Sequence, residues 1–142
     1  MNKKTHIALA VLIFLVAWFL YRWPFAYVIF SIAGALIPDL DLVLTKSLHR
    51  TWSHSLLTLA LLNFLASKLQ VFDAPAMLIF SLGFISHLLG DSYTKRGVNW
   101  LWPLPWFKFS GPVSTGRWSE SVIAFFIFVA IAIALVSMSS LL

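Results

Sequence analysis

Apolar runs alternate with short polar connections along this chain. Five runs stand out, at roughly 7–21, 25–37, 56–69, 74–89 and 122–138. Pro24, Pro38 and Pro75 punctuate them, as residues that stop or start helices do. Helix is the expected state of each run, because lipid offers the backbone no other partner. A complete crossing takes about 20 apolar residues. The runs at 25–37 and 56–69 fall short of that, so they cross a thinned bilayer or cross only with their polar flanks. No repeat or low-complexity segment interrupts the pattern. The expectation is an all-α, multi-pass bundle of about five helices in a single domain, 1–142.

The connection at 90–121 reads differently. Trp100-Leu101-Trp102-Pro103-Leu104-Pro105-Trp106-Phe107 is too rich in proline to span and too apolar for a free loop. It is expected to lie in the membrane interface, where it guides a lipid substrate or anchors the protein.

Composition places the chain in the membrane class. It is 61% hydrophobic and 11% charged, where a soluble domain is about a quarter charged. Cysteine is absent, which excludes disulfides, thiolate zinc sites and cysteine nucleophiles. The basic start followed by an apolar run looks like a signal peptide. However, the bulky Tyr21-Arg22-Trp23-Pro24 offers no small-residue cleavage pattern, so the run is read as a retained helix.

Charge sets the orientation. If all five runs cross, the N-terminus and the connections at 38–55 and 90–121 share one side. Lys3, Lys4, Lys46, Arg50, Lys95, Arg96, Lys108 and Arg117 lie there, against Arg22 and Lys68 opposite. The positive-inside rule makes that side cytoplasmic. Trp18, Trp23, Trp100, Trp102 and Trp106 fall near the expected interfaces.

The candidate chemistry lies on that same side. His6, Asp39, Asp41, His49, His54, His87, Asp91 and Glu120 all fall at the ends of runs there. Ionisable groups in such places are costly unless paired or metal-bound, and histidines with carboxylates make a divalent-metal site. His87 and Asp91 are four apart and share a helix face. Asp91 near a helix C-terminus is opposed by the dipole and needs a cation. Asp39 and Asp41 repel each other unless a positive charge lies nearby. His49 and His54 are five apart, so they suit a loop entering a helix, with Ser53 as its N-cap and His54 in the first turn. Glu120 and His6 open helices; the dipole alone accounts for the glutamate. Asp73, on the opposite side, is a plain N-cap. Arg50, Lys95 and Arg96 suit either a phosphate or anionic lipid. No glycine-rich phosphate loop or Gly-x-Ser-x-Gly elbow is present, and the basic residues follow topology, so no nucleic-acid partner is expected.

Taken together, Ile37-Pro38-Asp39-Leu40-Asp41, His49-Arg50-x-x-Ser53-His54-Ser55, His87-x-x-x-Asp91-x-x-Thr94-x-x-Gly97 and Trp102-Pro103 resemble the inner-membrane metal-dependent hydrolase family. Its bacterial members are described as LexA-regulated hydrolases. That family is more distantly similar to zinc-dependent phospholipase C and P1-type nucleases. The likeness implies a phospholipase C-like helical core with two or three zinc ions at one end. In that pattern the ligands, in chain order, match His6, Asp39, His54, His87 with Asp91, and Glu120. Leu42 stands where the family often has a further histidine, and Ser53 where it usually has threonine.

The resulting expectation is a metal-dependent phosphoester hydrolase acting on a lipid or lipid-linked substrate at the cytoplasmic face of the inner membrane. Asp39 or Asp41, if not coordinated, serves as general base, and Arg50 steadies developing charge. A metal-binding membrane protein that moves or senses ions, or whose metal only staples helices, is the alternative. Run centres such as 11–17 and 129–134 carry no ionisable group, which favours the enzyme over a transporter.

Overall fold

The computed structural model describes residues 1–41 and 51–139. Among the described residues, five α-helices carry the architecture: α1 Lys3–Tyr21, α2 Val28–Leu36, α3 Leu56–Lys68, α4 Ala74–Ser92 and α5 Trp118–Ser139. Three are long and apolar enough to cross a membrane: α1, α4, and α5 over Trp118–Ser137. The second and third runs are shorter. With its flanking 3₁₀ turns α2 makes an apolar stretch of Phe25–Leu40, and α3 has 13 residues.

The helix ends follow local chemistry. Asn2 caps α1, accepting from Thr5 N at 3.0 Å. Arg22, at φ 54°, closes α1 in the left-handed region, and Pro24 prevents its continuation. Asp73 caps α4 as expected, accepting from Ala76 N at 2.9 Å. The Tyr27 hydroxyl also donates to Asp73, and the two donors, the Tyr27 bond first, hold its carboxyl below the ordinary carboxylate range. The cap of α3 is Ser55 and not Ser53: Ser55 Oγ accepts from Thr58 N at 3.2 Å. Residues Trp52–His54 instead form a separate 3₁₀ turn, which withdraws Ser53 from capping and places His54 ahead of the helix.

The core sits around α4. Phe14, Leu15 and Ala17 of α1 meet Ile79, and Leu59 of α3 packs with Phe80, Phe84 and Leu88. The closest approach is between α2 and α4. A Cβ added at Gly34 would stand 2.1 Å from the Phe80 carbonyl oxygen, and one at Gly83 would stand 2.0 Å from that of Ser31. The two backbones are therefore in direct contact, as small residues permit between membrane helices. Ser31 Oγ extends the contact to α1 by donating to Ala10 O at 2.9 Å. Within the apolar region, Asn63 Nδ2 of α3 donates to Ser81 Oγ of α4 at 2.9 Å. By contrast α5 leans on α1 through Ile131 and Ala134 and leaves Phe125, Phe126, Ile133 and Val136 exposed, a surface suited to lipid.

The proline-rich connection departs from a purely helical fold. Val98–Asn99 (β1) and Lys108–Phe109 (β2) pair antiparallel, and Trp102-Pro103 is cis. Trp100 ties this hairpin to the bundle: its Nε1 donates to Ser92 Oγ at 2.7 Å, and its carbonyl accepts from Leu56 N at 2.8 Å. Trp102, Leu104, Trp106 and Phe107 are exposed at the tip, where an interfacial segment needs them. Gly97 enters the hairpin at φ 66°, with the Phe109 carbonyl packed against it. Thr94 Oγ1 donates to Asp91 O at 2.7 Å and so closes α4.

Candidate metal centre

Four elements deliver polar side chains to one end of the bundle. α4 brings His87 and Asp91 on one face, one turn apart, both buried. Pro38 is the second residue of the 3₁₀ turn Ile37–Leu40 that follows α2, and that turn carries Asp39 to the same place, with Asp41 behind it. The turn Trp52–His54 supplies His54. The first turn of α1 supplies His6, for which Gly90 leaves room: a Cβ there would stand 3.2 Å from the ring.

The geometry is tight. Nε2 of His54 and Nε2 of His87 are 3.1 Å apart. Asp39 Oδ1 lies 3.6 Å from the first and 3.7 Å from the second. Asp91 Oδ2 lies 3.7 Å and 3.8 Å from the same two atoms. Metal–ligand bonds of about 2.0–2.2 Å at tetrahedral angles place ligand atoms about 3.3–3.6 Å apart, close to the spacing of Asp39, His54 and His87, which could hold one small divalent ion, with Asp91 Oδ2 beside them. His87 is already oriented for it. Its Nδ1 lies 2.6 Å from the Ala35 carbonyl oxygen, which can only accept. Nδ1 therefore carries the proton and Nε2 presents a lone pair to the cluster.

A second group overlaps the first. His6, His87 and Asp91 offer ligand atoms within 4.8 Å of one another, as do Asp39, His54 and His87. The His6 ring stacks on His87 at 3.8 Å between centroids and 14° between planes. Its Nε2 is 3.3 Å from Asp91 Oδ1, yet neither ring nitrogen makes a hydrogen bond. Asp91 Oδ1 also pairs with the Met1 amine. The two oxygens of Asp91 thus face the two groups separately. His87, with Nδ1 engaged, has one nitrogen for both.

Two of the sequence candidates are placed otherwise. Asp41 Oδ2 is 3.7 Å from His54 Nδ1, on the far side of the ring from the cluster, and Ser53 Oγ donates to it. Glu120 lies outside both groups. Its carboxylate accepts from the backbone of Asn2 and Gly116 and from Thr5 Oγ1, binding the start of α5 to the start of α1. These donors, the Gly116 and Asn2 N–H groups foremost, occupy it there. His49 and Arg50 lie outside the described residues. The sequence reading missed the Ala35 carbonyl, which carries no side-chain signal. It also missed Ser53 as a partner of His54, although their adjacency was the available clue.

The YdjM inner membrane protein family model matches residues 1–141 of this chain. No curated protein and no solved structure matches it.

Proposed function

We propose that this chain, which belongs to the YdjM inner membrane protein family, is a metal-dependent hydrolase. In this reading it cleaves phosphoester bonds of a lipid or lipid-linked substrate at the cytoplasmic face. The observation that carries the metal is the meeting of two imidazole Nε2 atoms at 3.1 Å with two carboxylate oxygens within 3.8 Å of both. One divalent cation balances the two carboxylates and satisfies both rings. Zinc suits a centre of nitrogen and oxygen donors without thiolates.

When bound, such an ion supplies Lewis acidity toward water and a phosphoryl oxygen. His54, His87 and Asp91 hold it from fully buried positions. Asp39, at 9% exposure, stands at the rim of the cluster; if it does not coordinate the ion, its carboxylate is placed to take a proton from an incoming water. Asp91 Oδ1 and His6 offer a second, two-residue position for another ion. The phosphoester part rests on motif order and on setting: the site lies at the end of the bundle that carries the tryptophan-rich hairpin.

Burial favours a second reading, in which the ion only pins α1, α2 and α4 together. Structural sites are closed, whereas catalytic ones keep an open position. The test is to purify the protein in detergent, measure bound metal by elemental analysis, and repeat with His87→Ala and Asp91→Asn. The enzyme reading expects bound metal in the parent, loss in both variants, and turnover of aryl phosphates or phospholipids. Metal without turnover on any of these substrates supports the structural ion. Equal metal content in all three proteins removes the centre altogether.

A further inference from the structure

His54 is a ligand of the proposed centre whose ring direction depends on a neighbouring side chain. His87 is fixed by a backbone carbonyl. His54 Nδ1 instead lies 2.9 Å from Ser53 Oγ, and a hydroxyl can give or take a proton. That choice decides what His54 offers on its other side. If Ser53 donates to Nδ1, Nε2 carries a hydrogen and merely bonds to His87. If Ser53 accepts from Nδ1, Nε2 is a lone pair.

Asp41 removes the ambiguity. Ser53 Oγ donates to Asp41 Oδ2, and a hydroxyl has a single proton to give. Oγ is then an acceptor toward His54, so Nδ1 bears the hydrogen and Nε2 is bare. At 3.7 Å from Nδ1, Asp41 is beyond hydrogen-bond reach and acts through the serine. All three residues are buried, so water does not compete. We infer that Ser53 and Asp41 are positioning residues: a hydroxyl oriented by a carboxylate fixes His54 with its Nε2 lone pair turned to the metal. Two bare Nε2 atoms then face each other at 3.1 Å, an arrangement that repels until a cation enters. This inference rests on the metal reading above. It assigns Asp41 to the partners behind a ligand, where an outer carboxylate typically sits.

The full chain in detergent, titrated with Co2+ against a chromogenic chelator, tests it. Valine and threonine have the same shape, so Ser53→Val and Ser53→Thr strain the site alike and differ by the hydroxyl. Ser53→Val is expected to weaken Co2+ binding about 10–100-fold, the range for outer-shell partners, and Ser53→Thr to stay close to the parent. Asp41→Ala lets the serine proton turn to His54 and should weaken binding by a similar factor. The double variant Ser53→Val/Asp41→Ala should be no weaker than either single one, because both break the same relay. Equal affinities for the valine and threonine proteins overturn the relay while leaving the centre intact. So does a double variant in which the two losses multiply, since Asp41 would then act directly. A parent protein that takes up no Co2+ overturns the metal reading and this inference together.

Discussion

Asp91 and Glu120 show how two similar carboxylates diverge by what surrounds them. Asp91 faces His6 on one oxygen and His54 with His87 on the other. Glu120 is occupied by backbone N–H groups of Asn2 and Gly116. Glu120→Gln should therefore retain the parent's metal content. It should lower thermal stability, because hydrogen bonds to a charged acceptor contribute about 1.5–3 kcal/mol and an amide oxygen replaces the carboxylate. Elemental analysis beside a melting curve reads both, and loss of metal would return Glu120 to the ligand set. The pairing of His87 with Asp91 was legible in the sequence because a spacing of four on a helix fixes a shared face. The separate fates of Asp41 and Glu120 were not. Which side of a ring a carboxylate meets depends on turns whose direction no spacing encodes.

Among the elements, the contact of α2 with α4 governs the site. Asp39 lies in the turn that follows α2, and His87 lies on α4 and bonds to Ala35 of α2. Gly34 and Gly83 set how near these helices come. Gly83→Leu should force them apart, since a Cβ alone would overlap the Ser31 carbonyl. The expected result is loss of bound metal with every ligand residue still present; overpacking of this kind typically costs about 1–3 kcal/mol or more. Normal metal content in Gly83→Leu would show that α2 can shift without disturbing Asp39. The five apolar runs predicted these helices well, because length and hydrophobicity suffice to mark a membrane segment. The cap of α3 fell two residues from its expected place, since Ser53 and Ser55 are equally good caps by type. The β1–β2 hairpin was invisible: two-residue strands leave no alternation to read.

At the scale of the whole molecule, the candidate ligands come from α1, the turn after α2, α4 and the turn before α3. An ion that binds only the folded chain stabilises it by mass action. At a hundredfold excess over Kd this amounts to about 2.7 kcal/mol. Adding Zn2+ to chelator-stripped protein should raise Tm, and His87→Ala should abolish the rise. An unchanged Tm in the parent would count against a binding centre. Orientation is accessible because the natural chain has no cysteine. A single cysteine placed at Trp106, exposed at the hairpin tip, should resist a membrane-impermeant thiol reagent in intact cells, while one placed at Val71 should react. The reverse pattern would move the site to the outer face.

The donors of the cluster stretch from residue 6 to residue 91 of the chain. During synthesis, Asp39 and His54 must wait at the membrane surface until the segment bearing His87 has left the ribosome and inserted. On the proposed metal reading, ion capture is thus a late event in biogenesis. A chain whose fourth segment enters the bilayer the wrong way round never brings His87 and Asp91 to Asp39 and His54, so the proposed centre would form only in a correctly inserted chain.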